Sequence, residues 1–262
     1  TTHGRFPKPV STKDNALIIG DDAILCFSCA TPEELDWSSL ELDLVLECSG
    51  SFSDRHSAQA YLNAGVPRML LSQPAAADVD ATIVYGFNHQ DIQSHHDIVS
   101  AASCTTNCLI PVLDIIKQFS GVVHGMSQTI HSAMNDQPVI DAYHHTDLRK
   151  TRAAMQSIIP VDTGLALGID RLMPELTGRF QAQAMRVARV NVSAIDLNIL
   201  LNTIVDTAAV NAVYAETAEG NLYGVMSYPE VSLGSCALHH DPVRGILTAS
   251  QSLVTNQKST KV

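Results

Sequence analysis

The first hundred residues alternate short apolar runs with polar segments, an order typical of strands joined by crossovers in a parallel sheet. Two of these runs flank Gly20-Asp21-Asp22, which predicts a hairpin. The longest run, Leu42 to Cys48, predicts a buried strand. One helix is expected from the cap at Ser53-Asp54 to about Asn63, with Gly65 just beyond its end. Further strands are predicted at residues 68–72, 82–85 and 97–100.

After Ser103 the pattern changes to longer segments. Apolar residues at helical spacing predict an amphipathic helix from Thr105 to about Gln118 with one face on a core; they are Leu109, Val112, Leu113, Ile116 and Phe119. Long extended segments follow at 122–131, 180–190 and 191–204, and a further helix is expected at 208–219. We therefore predict an α/β protein with a parallel-sheet domain at residues 1–103 and a second domain, with a mostly antiparallel sheet, at residues 104–262.

Composition narrows the class of protein. The 262 residues carry 16 Lys and Arg against 27 Asp and Glu, and a net charge of −11 disfavours nucleic acid as a partner. No apolar run approaches the roughly 20 residues of a membrane span, and the first residues lack the order of a secretory signal. A cytoplasmic location is therefore predicted, with no membrane partner.

Six cysteines are too few for a disulfide scaffold, and most lie in apolar surroundings where a free thiol packs as a small hydrophobe. Cys26 and Cys29 have redox or zinc spacing, but the sequence holds no second such pair. No metal site is predicted.

Cys104 stands where polar residues lead straight into the apolar helix. The unpaired N–H groups and the positive end of the helix dipole would stabilise a thiolate there and could hold an oxyanion. The alternative is a buried cysteine at a helix cap.

A cysteine nucleophile needs a base, and imidazole suits neutral pH. His131 closes the extended run that follows the helix, so the chain returns towards Cys104. By alternation His131 shares a face with Ser127 and Thr129, which we interpret as a polar face rather than the core. Taken alone, His131 would be a surface histidine.

Cations could bind an anion near this pair. Arg149 and Lys150 follow Asp147-Leu148, and Arg186 lies inside an apolar strand, where it must pair with an acid or reach a site. Thr163-Gly164 forms a turn that could offer a hydroxyl and a backbone N–H to phosphate.

The run from Ser103 to Cys108 (Ser-Cys-Thr-Thr-Asn-Cys), His131 and the later Ser157-Ile158-Ile159-Pro160 resemble the glyceraldehyde-3-phosphate dehydrogenase family. The resemblance extends from His3 to about Val254. The stretch after His131, with Met-Asn-Asp-Gln-Pro at 134–138 where the glyceraldehyde-3-phosphate branch usually has Thr-Ala-Thr-Gln-Lys, is similar to the erythrose-4-phosphate dehydrogenase branch. The substrate that the resemblance implies is therefore erythrose 4-phosphate, with glyceraldehyde 3-phosphate as the alternative.

The resemblance implies an incomplete Rossmann-type domain followed by an α+β catalytic domain. It implies NAD as the cofactor, a sugar phosphate as the small-molecule substrate, a homotetramer, and a product that feeds pyridoxal phosphate synthesis. Cys104 would be the nucleophile and His131 the base. The implied substrate-binding residues are Ser103, Thr105, Arg149, Lys150, Thr163, Gly164 and Arg186, and the implied NAD-lining residues are Ser49, Gly50 and Ser72.

The resemblance also implies that the chain starts inside the family's sequence and stops before its end. The expected losses are the glycine-rich turn that approaches the pyrophosphate and the late Asn that fixes the nicotinamide, so NAD affinity should fall. Three hypotheses stay open: a dehydrogenase read as a shortened chain, a weak esterase that uses the same cysteine, and a non-catalytic interaction module.

Overall fold

The computed structural model describes residues 4–144, 146–255 and 258–262, so His3, where the resemblance begins, lies outside the described residues. Contacts divide the chain into two compact units, and each is described by itself. The first comprises Thr1–Ala81 and Ser94–Ser100; the second comprises Thr82–Gln93 and Ala101–Val262. The division between 103 and 104 inferred from sequence stays a prediction.

The first unit contains two small sheets and one helix. A three-stranded antiparallel sheet is formed by β1, β2 and β3, and the predicted hairpin is its β2–β3 pair, in which Ile19 faces Asp22. The second sheet has the order β4-β5-β7-β6, with β4, β5 and β7 parallel. The bounds are β1 Val10–Lys13, β2 Ala16–Ile19, β3 Asp22–Leu25, β4 Val45–Glu47, α1 Arg55–Asn63, β5 Met69–Leu71, β6 Ala81–Thr82 and β7 Ile98–Ser100.

Helix α1 begins and ends where the sequence predicted. The side chain of Asp54 accepts from the backbone N–H of Ser57, and the Ser57 hydroxyl lies 3.4 Å from the Asp54 N–H, which makes a reciprocal cap. The helix buries Ala58 against Met69, Leu71 and Ile98 of the parallel strands. This small core fixes the ends of β4 and β5 relative to each other.

The prediction of a buried strand at Leu42 to Cys48 is wrong in length and burial. Only Val45–Glu47 forms a strand, and Leu46 is 61% exposed. The reason is that Leu46 lies on the face opposite Val45, which packs against the core that contains Ala58 of α1, and no layer of described residues covers the Leu46 side chain. The residue buried there is the charged one, Glu47, at 4% exposure.

The second unit is built on a six-stranded sheet in the order β14-β15-β11-β8-β10-β9, and the pairing is antiparallel except between β8 and β10. Helices α2, α3 and α4 contribute to its single apolar core. The bounds are α2 Cys104–Ser120, β8 Val122–His131, β9 Ile159–Val161, α3 Leu165–Leu172, β10 Phe180–Arg186, β11 Ala194–Leu201, α4 Thr207–Glu219, β12 Met226–Ser227, β13 Gly245–Ile246, β14 Leu253–Thr255 and β15 Ser259–Lys261. The parallel pair β12–β13 forms a separate small sheet.

The second unit confirms most of the predicted long elements and corrects two details. Phe119 is 42% exposed, because the buried face of α2 turns through Ile115 and Ser120 instead. Helix α3 was not predicted, since its eight residues follow a short strand without a side-chain cap. Across both units, the expectation that most cysteines pack as small hydrophobes is wrong, because five of the six are exposed: Cys26, Cys29, Cys48, Cys104 and Cys236.

The prediction for the face of β8 that carries His131 is also wrong: this face lies on the core and not on the polar side of the strand. Ser127 and Thr129 are 0% and 1% exposed, whereas Met126 on the opposite face is 52% exposed. Helix α2 contacts β8, and its apolar side chains belong to the same core as those of the sheet. His131 therefore lies at the end of the core-facing side of the sheet, close to the helix that bears Cys104.

Within the described residues, no helix is both long and apolar enough to cross a lipid bilayer.

Gly125 in the middle of β8 has no room for a side chain. A Cβ there would overlap the Phe180 ring and lie 2.9 Å from the backbone oxygen of Asn198. We expect Gly125→Ala to lower the free energy of unfolding by about 1–3 kcal/mol, measured by urea denaturation, because the central strand must shift. Gly234→Ala, where no atom lies within 4 Å of the added Cβ, is the control and should change stability by less than about 0.5 kcal/mol. Equal stabilities for the two variants would contradict this packing.

Candidate active site

Cys104 is the first residue of α2, and the junction before it is tightly held. The Ser103 side chain caps the helix by accepting from the backbone N–H of Thr106 at 3.0 Å. The Asn107 amide donates back to the carbonyls of Ala101 and Ser103, at 2.7 and 2.9 Å. Ala102 has a φ of 60°, a left-handed conformation that a non-glycine residue adopts only when its surroundings impose it. The thiol is thus placed at the helix N-terminus by a strained turn with two side-chain locks.

The structure brings Cys104 and His131 together. Cys104 Sγ lies 3.7 Å from His131 Nε2, within reach of a hydrogen bond to sulfur. The other ring nitrogen, Nδ1, lies 2.7 Å from the carbonyl oxygen of Ser132. A carbonyl only accepts, so Nδ1 carries a proton and Nε2 is left to take the thiol proton.

The two groups shift each other's pKa towards the charged pair. The hydrogen bond to His131 is the largest influence on Cys104, and with the N–H groups of Thr105 and Cys104 it outweighs burial and lowers the pKa of the thiol. The same hydrogen bond raises the pKa of His131, against burial and the nearby charge of Arg186. A thiolate beside an imidazolium is the form that this geometry favours.

Cys108, one helical turn further on, has the opposite character. Burial raises its pKa to about 11, and its sulfur is 3.2 Å from the position of a Cβ on Gly245. Cys108 is a neutral packed thiol at physiological pH.

Arg186 lies beside His131, because the two are register partners in the parallel pair β8–β10. The guanidinium is nearly buried and forms an ion pair with Asp136, whose second oxygen is 2.8 Å from Lys150 Nζ. Of the predicted anion-binding residues, Arg186 and Lys150 therefore share one cluster. Asp136 is the member that the sequence analysis did not identify.

Arg149 is directed elsewhere. Its guanidinium is bound to Asp147 at 3.0 Å and lies 3.6 Å from Asp162. Of the two alternatives for the phosphate cation, Lys150 is the one that shares a counter-ion with Arg186.

Thr163 and Gly164 lie at the start of α3, where the Thr163 hydroxyl accepts from the backbone N–H of Leu165 at 3.3 Å. A Cβ on Gly168, one turn later, would be 3.0 Å from Thr106 Oγ1 in the first turn of α2. The starts of the two helices are therefore close together. The Thr105 hydroxyl is 3.1 Å from that of Ser103, so both predicted residues belong to the cap that holds Cys104.

Ser49, Gly50 and Ser72 lie in the first unit, in the loops that follow the carboxyl ends of β4 and β5. All three are exposed, and Gly50 has a φ of 77° with no atom within 4 Å of the position of a Cβ. Exposed hydroxyls and an open backbone at the carboxyl ends of parallel strands fit the lining of a dinucleotide site. These three residues would hold part of NAD.

Glu47 ties these two loops together. One carboxylate oxygen accepts from the backbone N–H of Ser49 at 2.8 Å, and the other accepts from the Gln73 amide at 2.7 Å. The Gln73 amide also donates to the Phe52 carbonyl at 3.0 Å. Burial acts to raise the pKa of Glu47, but these hydrogen bonds outweigh it and the pKa is lowered. The only sequence signal for this role of Glu47 is a charged residue near the end of an apolar run.

The described part of the chain contains no group of three or more His, Cys, Asp and Glu side chains suited to hold a metal ion.

In the second unit, a cysteine thiol in contact with a histidine at a helix start is typical of cysteine-dependent enzymes. In the first unit, exposed loops that follow parallel strands are typical of dinucleotide-binding domains. Comparison with family models gives the particular family. The glyceraldehyde 3-phosphate dehydrogenase C-terminal domain matches residues 103–262, and the NAD-binding domain of the same family matches residues 1–55. The chain belongs to the glyceraldehyde 3-phosphate dehydrogenase family, and is an NAD-dependent oxidoreductase of phosphorylated aldehydes.

The first prediction from this site concerns thiol reactivity. Iodoacetamide reacts with the thiolate, so Cys104 should react quickly at pH 7, at which Cys108 should stay unmodified. His131→Asn removes the main cause of the lowered pKa, so the pH midpoint of Cys104 alkylation should move upwards and the alkylation rate at pH 7 should fall. Peptide mass spectrometry separates Cys104 from the other exposed thiols. An unchanged midpoint would show that the histidine does not activate the thiol.

The second prediction concerns Glu47. A carboxyl group whose pKa is lowered in the folded state stabilises the fold above its unfolded pKa, and this contribution is lost as the pH falls through the folded pKa. Glu47→Gln should therefore lower the free energy of unfolding by about 1–3 kcal/mol at pH 7, with a smaller difference from wild type below about pH 4. Urea unfolding at both pH values measures this, with the exposed Glu33→Gln as the control. A difference that does not depend on pH would exclude an ionised Glu47.

Proposed function

We propose that the chain oxidises the aldehyde of erythrose 4-phosphate to 4-phosphoerythronate with NAD. The observation that carries the chemistry is the contact of Cys104 Sγ with His131 Nε2 at the start of α2. The choice of erythrose 4-phosphate is supported by the residues at 134–138, which differ from the usual pattern of the glyceraldehyde-3-phosphate branch. Glyceraldehyde 3-phosphate is the alternative substrate.

The covalent step follows from the charged pair. The Cys104 thiolate attacks the aldehyde carbon, and the new oxyanion is stabilised by the imidazolium of His131 and by the N–H groups at the start of α2. Protonation of that oxygen by His131 gives a thiohemiacetal, and the imidazole then stands ready to take the same proton back.

NAD, when bound, supplies the acceptor for the hydride of the thiohemiacetal carbon. His131 takes the hydroxyl proton as the carbonyl re-forms, and a thioester on Cys104 is the result. His131 then releases this proton to solvent. Water attacks the thioester carbonyl while the neutral imidazole takes a proton from it, and the tetrahedral intermediate collapses to the acid and the free Cys104 thiolate.

The remaining predicted residues bind the substrate and cofactor in this proposal. Arg186 and Lys150 bind the phosphate group, Thr163 and Gly164 line the site from α3, and Ser103 and Thr105 hold the nucleophile. Ser49, Gly50 and Ser72 line the NAD site. Residues 1–103 form the cofactor domain and residues 104–262 the catalytic domain, in a cytoplasmic homotetramer whose product serves pyridoxal phosphate synthesis.

The test is NADH formation by the 262-residue chain with NAD and either erythrose 4-phosphate or glyceraldehyde 3-phosphate, followed by absorbance at the NADH band. We expect turnover with a higher kcat/KM for erythrose 4-phosphate, and at least a roughly thousandfold loss in Cys104→Ala because the nucleophile is absent. Cys236→Ala, which changes another exposed thiol, is the matched control and should keep its activity.

Preference for glyceraldehyde 3-phosphate would assign the alternative substrate. Turnover of neither aldehyde would contradict the proposed reaction, and ester hydrolysis that depends on Cys104 would then indicate the esterase.

A further inference from the structure

Asp136 forms a bridge between two cations of the proposed substrate site. Its Oδ1 pairs with Arg186 Nη1 and its Oδ2 lies 2.8 Å from Lys150 Nζ. The Arg186 side chain is only 10% exposed and that of Lys150 is 19% exposed. One negative and two positive side chains leave the cluster with a net charge of +1.

The carboxylate is presented on a rigid turn. The Gln137 N–H donates to the Met134 carbonyl at 3.1 Å, and the Gln137 side-chain oxygen accepts from the Met134 N–H, also at 3.1 Å. Gln137 is 8% exposed, and the same oxygen lies 3.5 Å from Arg186 Nη1. The position of Asp136 is thus fixed by the chain around it.

The two contacts of Asp136 have opposite effects on an incoming phosphate. They hold Arg186 and Lys150 close together against the repulsion between two like charges. The two cations are therefore oriented as hydrogen-bond donors before phosphate binds. They also cancel half of the positive charge that a phosphate would meet. The binding free energy of free phosphate depends mainly on the net charge of the cluster. The binding free energy of a sugar phosphate attached to Cys104 depends mainly on the orientation of the two donors.

We propose that Asp136 is a positioning residue that holds Arg186 and Lys150 as one anion-binding pair and favours a sugar phosphate ester over free inorganic phosphate. This inference rests on the proposed function, because it takes the cation pair as the phosphate subsite. Asp136 itself contacts the cations and not the reacting atoms.

The test uses Asp136→Asn, which keeps the shape of the side chain and removes its charge. Inorganic phosphate should bind this variant at least about fivefold more tightly in isothermal titration calorimetry, because the net charge of the cluster rises to +2. The kcat/KM for erythrose 4-phosphate should fall at least about tenfold, because the cations lose their shared anchor. Phosphate affinity should therefore rise while kcat/KM falls. A variant with a damaged site would instead show both a lower phosphate affinity and a lower kcat/KM.

A second variant tests the charge argument without removing the bridge. Lys150→Met leaves Arg186 paired with Asp136 and a net charge of zero, and inorganic phosphate should bind it at least about tenfold more weakly than wild type. The matched control is Asp141→Asn, since Asp141 lies in the same segment and pairs with Arg152 at 2.5 Å, outside the cluster. Both measurements should be unchanged in the control.

Phosphate binding that weakens or stays the same in Asp136→Asn would overturn the inference, as would a kcat/KM that stays the same or rises. If the wild-type chain oxidises neither aldehyde, the proposed function fails, and calorimetry alone then decides the role of Asp136. Tighter phosphate in Asp136→Asn together with weaker phosphate in Lys150→Met would then support the anion-binding pair, and the preference for a sugar phosphate would fail with the proposed function.

Discussion

The contact between Cys104 and His131 depends on one glycine that joins α2 to β8. Gly121 is the single residue between them and has a φ of 70°, and its N–H closes the helix on the Lys117 carbonyl. A Cβ there would be 2.5 Å from the Asn202 amide, so no other residue fits without a shift. The helix rises about 25 Å and the strand about 30 Å, lengths close enough for the chain to return to its starting level.

The sheet of the second unit keeps β8 directed from the end of α2 back towards Cys104. Strand β8 is central in its sheet, with β10 and β11 on either side, so its direction is fixed by backbone hydrogen bonds on both edges. The pairing with β10 also places Arg186 level with His131. The packing of the sheet against α2 buries the face on which both side chains lie, and this lowers the local dielectric for every charge in the site.

The charges in the site are arranged as two coupled groups. The Cys104–His131 pair stabilises its own charge separation, while Asp136 balances the two cations beside it. Without a counter-ion, Arg186 would lower the pKa of His131 further, since its charge already opposes protonation of the imidazole. The site therefore combines a nucleophile and a cation pair without excessive like-charge repulsion.

Much of this fold could be predicted from the chain alone, because the signals are local. Ser103 before an apolar periodic run marked the start of α2, and Asp54 with Gly65 marked both ends of α1. Cys104, His131 and Arg186 could be chosen as candidates for the same reason: a thiol at a helix start, a histidine at a strand end and a cation inside an apolar strand are each unusual locally. Helix α3 has no such cap, and it was not predicted.

The sequence by itself determined the order of the elements that carry a clear cap or periodicity, and the chemical types available to the site, since periodicity and capping act over a few residues. The tertiary structure alone decided which face of β8 is buried, why Leu46 is exposed on an edge strand, and that Lys150 rather than Arg149 shares Asp136 with Arg186. Burial depends on which layer covers a strand, and ion pairing depends on side chains that meet across dozens of residues. Neither is encoded in the local pattern.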